Sequence, residues 1–349
     1  MLDLDRGFKP LCLPLIVAAS VEQARKSVFM SEIVFFEGQF VPVEKANLNI
    51  KNHSFLYGTS LFEGLRGYWL PDTRQISIFR MQAHYERLLA NSNIFFMKPE
   101  ADIELLMSQT AELVRQNGPQ EDIYIRFTLF KNGVNIGPFL DKVPTDYCIW
   151  THPLGNYVNI DGLHVTVSSW RRVDDNAIPP AAKAGGAYMN TAIMITDAKR
   201  KGFDEVIALT DDGHVSEGSA MNIFLVRKGR LITPPVTANI LEGVTRDSII
   251  QLAQNELGLT VEERTIDRTE LYRCEEAFFT GTAAQVAPIT QIDSRPVGTG
   301  AIGPITQQLQ NVYFDVVRNK NPKYSHWCTL VDISGAPGKM DAEKLSAKA

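Results

Sequence analysis

Apolar positions along the chain alternate between a period of two and a period near 3.6, and each change of period marks an element. SEIVFFEGQFVPVEKA, from Ser31, reads as a hairpin turning at Glu37-Gly38. GLRGYWL and QISIFR read as strands around a Pro71-Asp72 turn. Helical spacing follows at Met81, Tyr85, Leu88 and Leu89. A second helix carries Ile103, Leu106, Met107, Thr110, Leu113 and Val114 on one face and stops at Asn117-Gly118-Pro119. YIRFTLF and DYCIW are the next strands, and HPLGNYVNIDG (152–162) has no period, as an inter-domain linker would. Beyond it LHVTVSSW, EVIALT, MNIFLVRKGRLIT (turning at Lys228-Gly229) and EEAFFTG read as strands, with helices at Tyr188–Arg200, Thr245–Leu257 and Ile305–Val317. No internal repeat is visible. The pattern predicts an α+β chain of two domains, the second larger: an extension at 1–29, a small N-terminal domain at 30–151, the linker at 152–162, a large domain at 163–332, and a polar, small-residue tail at 333–349 expected to be disordered.

Composition narrows the function classes. The chain has 349 residues, 44% hydrophobic, enough for two packed cores. A net charge of −5 with scattered basic residues gives no general attraction for nucleic acid or anionic membrane, so any anion site is local. No apolar run reaches the ~18 residues of a membrane helix. The nearest, PLCLPLIVAA in the first 29 residues, is broken by Pro10 and Pro14 and reads as an extension outside the fold rather than a targeting segment. Cys12, Cys148, Cys274 and Cys328 are far apart, which argues for reduced thiols in a cytoplasmic protein. The six histidines show no metal-ligand spacing.

Four segments carry candidate chemistry. Lys183 in IPPAAKAGGAY lies among small residues with no carboxylate nearby in sequence. Buried there, it would be poorly solvated and nucleophilic toward a carbonyl, with room beside it for a planar ring. An exposed, idle lysine is the commoner reading of such a segment. In GVTRDSIIQLAQNELG, Gly243 precedes a helix whose first turn holds Val244 and Thr245, a suitable phosphate site or an ordinary threonine cap. Glu217, in a turn of HVSEGSAMNIF, is either an anchor for a cationic ring nitrogen or a surface glutamate. The Gly281-Thr282-Ala283 turn is either an anion cradle or a plain strand end. Together they make the parts of a pyridoxal-phosphate site.

HSFLYGTSLFEGLRGY (53–68), YIRF (124–127), SSWRR…IPPAAKAGGAYMN (168–190), VSEGSAMNIF (215–224), LEGVTRDSI (241–249) and TGTAAQVAPI (280–289) stand in one order. In these blocks, from about Val34 to Trp327, the chain resembles the branched-chain amino acid aminotransferases of class IV. The resemblance implies the two-domain fold type IV, with a pseudo-barrel C-terminal domain, and transfer of amino groups from leucine, isoleucine and valine to 2-oxoglutarate. It implies pyridoxal 5′-phosphate held by Lys183, with Tyr188 at the ring hydroxyl, Glu217 at the ring nitrogen, and Arg80, Leu241, Val244, Thr245 and Thr282 around the phosphate. It implies a substrate pocket of Tyr57, Phe62, Gly64, Tyr124 and Tyr157, with Thr282 and Ala283 at the α-carboxylate and Arg126 at the glutamate side-chain carboxylate. Tyr57 would come from the neighbouring subunit of a homo-oligomer, a dimer or hexamer. One departure is Leu154, where relatives often carry a linker tryptophan, leaving that wall aliphatic. A 4-amino-4-deoxychorismate lyase, D-amino acid or (R)-amine transaminases, and a non-catalytic cofactor-binding relative remain alternatives; YGTSLFEGLRGY and YIR favour the branched-chain type.

Overall fold

A computed structural model describes residues 32–335; the 1–29 extension and the tail beyond 335 lie outside the described residues. The chain begins with β1 (Ile33–Phe36) and β2 (Gln39–Pro42), paired with Phe36 opposite Gln39. The two-residue turn puts Glu37 and Gly38 at φ 49° and 78°, the double left-handed geometry that matches strand twist. A short helix α1 (His53–Tyr57), capped by the Asn52 side chain, leads into β3 (Ser60–Leu70) and β4 (Gln75–Phe79). Helices α2 (Met81–Ser92) and α3 (Ile103–Asn117) follow, the second started by the Asp102 side chain and ended by a left-handed Gly118. Then come β5 (Ile123–Lys131) and β6 (Thr145–Pro153).

The second half runs β7 (Leu163–Arg171), α4 (Tyr188–Arg200), β8 (Glu205–Leu209), β9 (Val215–Gly218), β10 (Asn222–Arg227), β11 (Arg230–Thr233), α5 (Val244–Leu257) and β12 (Val261–Glu263). It continues β13 (Glu276–Gly281), β14 (Gln285–Ile292), β15 (Arg295–Pro296), α6 (Pro304–Val317) and β16 (Cys328–Asp332). Helix bounds agree with the periodicity to within one residue at Tyr188–Arg200, Val244–Leu257 and Pro304–Val317.

Two sheets result. The first has the order β16-β4-β3-β5-β6-β1-β2, so the last strand crosses back to pair with β4. Its core joins Leu61, Leu65 and Phe127 to Tyr85, Leu106 and Leu113 of the two helices. The second has the order β12-β11-β10-β13-β14-β7-β8-β9, with β15 beside β14. β9 ends that order, yet only Ser219–Met221 separate it from β10, and the Gly218 amide donates to the Met221 carbonyl at 2.7 Å. A sheet whose end strand lies one turn from its middle must curl, and the result is a half-barrel. Arg66 on β3 is buried and spans the halves, donating to the carbonyls of Ala283, Leu154 and Gly155 at 3.0, 3.0 and 2.7 Å. Among the described residues no helix is long and apolar enough to cross a membrane.

Candidate active site

A cavity of about 490 Å³ opens where the face of β3, β5 and β6 meets the mouth of the half-barrel. Lys183 reaches it from the end of a single 3-10 turn, Pro180–Ala182, with its own φ at 53°. A left-handed lysine costs about 1 kcal/mol or more and persists only where neighbours impose it. They do: the Phe62 amide donates to the Lys183 carbonyl at 3.3 Å, and Ala184 bridges Leu61. The adjacent glycines serve this stitching rather than ring clearance. A Cβ on Gly185 would strike the Ser60 side chain, and Gly186 lies against the Gly58 backbone, to whose carbonyl its amide donates at 3.1 Å. The partly buried Lys183 Nζ donates to Tyr188 Oη at 3.3 Å and sits 5.0 Å from the centre of the Phe62 ring.

Glu217 lies in strand β9 and is 2% exposed, which corrects its placement in a turn. The curl of the sheet turns this residue inward. Its Oε1 pairs with Arg172 Nη2 at 2.7 Å, and its Oε2 accepts from Asn222 Nδ2 at 3.0 Å and the Leu241 amide at 3.2 Å. Burial pushes its carboxyl above the usual range, while Arg172, the Leu241 amide and Lys183 pull it back. Arg172 Nε and Thr280 Oγ1 are buried without a hydrogen-bond partner among the described residues, and both residues border the cavity.

The start of α5 borders the cavity through Gly243, Val244 and Thr245, and no side chain caps it. Its first amides lack intrahelical acceptors, as at any helix start, no side chain takes their place, and the dipole favours an anion there. The cation beside it is Arg87, not Arg80. Arg80 does not border the cavity; its guanidinium stacks on Trp327 and is held by Asp247 at 2.9 Å and Ser248 at 3.3 Å. The physical reason is position: Arg80 is the cap residue between β4 and α2, whereas Arg87 lies two turns along that helix, next to His84 and facing Glu63.

Three neighbouring strands build the opposite wall. Gly64 lies opposite Arg126, Arg126 opposite Trp150, and Tyr124 opposite His152, so these side chains share one face with Phe62. Arg126 lies 3.3 Å over the Phe62 ring and donates to Tyr124 Oη at 3.1 Å. A Cβ on Gly64 would come within 2.7 Å of a Tyr124 ring carbon, so the bare backbone is what lets Tyr124 lie there. Leu154 and Tyr157 close the linker side, and Thr282 and Ala283 the barrel side. The wall is not left aliphatic by Leu154, because β6 supplies Trp150, edge-to-face with Tyr124 at 6.1 Å. Tyr57 is not at this cavity. It is 37% exposed on α1, its hydroxyl accepting from the Gly137 amide at 2.7 Å.

The family model for amino-transferase class IV matches residues 60–292. The chain belongs to the class IV aminotransferases. It is similar to a probable branched-chain-amino-acid aminotransferase of Aquifex aeolicus (strain VF5), 44% identical over 304 residues, 87% of this chain and 98% of the relative. It is also similar to the branched-chain aminotransferase of Thermoproteus uzoniensis solved with norvaline, with a TM-score of 0.83, 39% identity, and coverage of 86% of this chain and 100% of that one. The branched-chain amino acid aminotransferase of Thermobaculum terrenum in its PLP form matches at a TM-score of 0.82 and 36% identity, over 86% and 98% of the two chains.

Enzymes of class IV use pyridoxal phosphate, and the donors here fit it. An amine, a phenol, a buried carboxylate and an uncapped helix start with an arginine answer an aldehyde, a ring hydroxyl, a ring nitrogen and a phosphate. Arg87, Arg172, Asn222 and Trp150 carried no role in the sequence reading. Arg87 lies on the helix read from Met81, Tyr85, Leu88 and Leu89, but nothing in that spacing sets it apart from Arg80; Arg172, Asn222 and Trp150 had no signal either.

Proposed function

We propose that this class IV aminotransferase moves the amino group of leucine, isoleucine or valine to 2-oxoglutarate, giving branched 2-oxo acids and glutamate. The observation that carries the reading is one cavity bordered by Lys183, Tyr188 and Glu217 at one end and by an apolar wall with a single unpaired arginine, Arg126, at the other. Phe62, Tyr124, Trp150, Leu154 and Tyr157 suit a branched side chain. Arg126, with no carboxylate partner among the described residues, suits the distal carboxylate of glutamate.

Pyridoxal phosphate, once bound, supplies an electrophilic carbonyl and a ring that spreads the negative charge developing at the substrate α-carbon. Lys183 would hold its carbonyl carbon, and Lys183 Nζ, once free, is the group that takes the α-proton and returns it on the product side. Tyr188 Oη, which already accepts from that amine, would hold the ring hydroxyl. Glu217 would keep a proton on the ring nitrogen, its own charge steadied by Arg172 and Asn222. The amides of Val244 and Thr245, with Arg87, Leu241 and Thr282, would hold the phosphate. Thr282 and Ala283 would receive the α-carboxylate, oriented by Arg66 gripping the Ala283 carbonyl. Two half-reactions on one site give ping-pong kinetics.

The active form is a homo-oligomer in which Tyr57 enters a neighbour's cavity. Exposed Phe55, Leu56, Tyr57, Ile136 and Phe139 support this, as does the pin between Tyr57 and Gly137. We assign it to the cytoplasm, supported by free thiols at Cys148, Cys274 and Cys328. The deciding experiment is spectral. Purified protein should be yellow, lose that colour on adding leucine or glutamate, regain it with 2-oxoglutarate, and sediment as more than a monomer. Lys183→Ala should abolish the leucine-driven change. A wild type that responds to neither donor sinks the proposal, and a strict monomer sinks its Tyr57 part.

A further inference from the structure

Beneath the cavity wall lies a buried polar cluster in which Arg87 meets Glu63 and His84, two residues with no role above. Glu63, on β3, is 1% exposed and faces α2. Its Oε1 accepts from Arg87 Nε at 2.8 Å, and its Oε2 from Arg87 Nη2 at 2.7 Å and His84 Nδ1 at 2.8 Å. Arg87 Nη1 donates to the Glu242 carbonyl at 2.7 Å, one residue before the cap of α5. Three of the five guanidinium hydrogens are thus engaged, Nη2 also lies 3.5 Å from His84 Nδ1, and Arg87 borders the cavity.

Such a cluster is poorly explained by stability. A buried ion pair is often neutral or worse compared with apolar packing. What a fork on Nε and one terminal nitrogen does accomplish is to fix the guanidinium plane and remove rotamer freedom. The grip on Glu242 then ties that plane to the start of α5, so the arginine and the helix amides face one anion in fixed relation. His84 completes the carboxylate's coordination: burial pushes its imidazole below the ordinary range, so it donates from Nδ1 while neutral and adds no charge.

We propose that Glu63 is a positioning residue for the phosphate group of the cofactor, acting through Arg87. This rests on Arg87 being the phosphate contact, as proposed above. It also competes with an opposite effect, since the Glu63 charge offsets that of Arg87 and its loss alone would strengthen the pull on an anion. Orientation of the guanidinium outweighs this.

The test compares dissociation constants of the apoprotein for pyridoxal phosphate and for pyridoxal, which lacks the phosphate, by fluorescence quenching. The ratio isolates the phosphate contribution. In Glu63→Gln and in Glu63→Asp, which keeps the charge but shortens the reach, pyridoxal phosphate should bind roughly tenfold or more weakly, and pyridoxal as in wild type. Arg87→Met should lose at least as much of the phosphate contribution as either Glu63 variant, the helix amides keeping the remainder. If Arg87→Met keeps it, the phosphate reading fails. If Arg87→Met loses it but both Glu63 variants keep it, the positioning role alone is overturned. Tighter binding of pyridoxal phosphate by Glu63→Gln, or loss of both ligands in both Glu63 variants, overturns it equally.

Discussion

Arg126→Met separates the two substrates that one cavity must accept. Among the described residues the guanidinium makes one hydrogen bond, to Tyr124 Oη at 3.1 Å, and lies 3.3 Å over the Phe62 ring. It is half-buried and available to a carboxylate. At 4 Å and an effective dielectric near 20, the gross attraction is about 4 kcal/mol. Desolvation of both ions takes part of that, and measured hydrogen bonds to charged groups leave roughly 1.5–3 kcal/mol. At about 1.4 kcal/mol per decade, kcat/KM for glutamate and 2-oxoglutarate should fall roughly 10- to 150-fold. Leucine has no charge to lose. Methionine keeps an unbranched apolar stem over Phe62, so the leucine value should change by less than about fivefold. The assay is rapid-mixing absorbance of each half-reaction, leucine with the yellow form and 2-oxoglutarate with the amino form. Equal losses for both substrates would refute the assignment, because they would mean that Arg126 supports the wall rather than meeting a carboxylate. A loss confined to leucine would refute it more directly.

Gly243→Ala puts a methyl group into Asn222 Oδ1, the residue whose amide holds Glu217 and the Leu241 carbonyl. Overpacking of this kind costs about 1–3 kcal/mol, so the melting temperature should drop and cofactor retention on dialysis should fall with it; an unchanged melt would show that the turn yields freely. The Glu63 carboxyl carries a pH signature. Burial alone would raise its pKa, but the Arg87 charge and the His84 hydrogen bond outweigh it and hold the group well below the usual carboxylate range. A depressed folded-state pKa gives stability that is complete above the unfolded value, near ~4.3, and is lost as pH falls through the lower folded value. The gap in urea midpoint between wild type and Glu63→Gln should therefore be widest at neutral pH and narrow below about pH 4; a gap that does not vary with pH would show that Glu63 is not ionised in the fold.

Local order was largely legible in the chain. Glu37-Gly38 and Lys228-Gly229 announce their hairpins because left-handed turns select such residues. The three long helices of the second half show their bounds because one face of each must be apolar. Six ordered blocks sufficed for the family, since the residues of a cofactor site recur at fixed spacings along the chain. What tertiary structure alone decided was direction and company. Arg80 and Arg87 lie in one short segment, and only the packing of α2 on β3 settles that the second borders the cavity. Glu217 reads as a turn residue until the sheet curls it inward onto Arg172. Leu154 reads as a missing tryptophan until β6, in register with β5, brings in Trp150. β16 shows no sign in sequence that it returns to the first sheet. Period and spacing record which way a residue faces within its own element; which element it then meets depends on contacts between residues tens to hundreds of positions apart, and no local pattern carries that information.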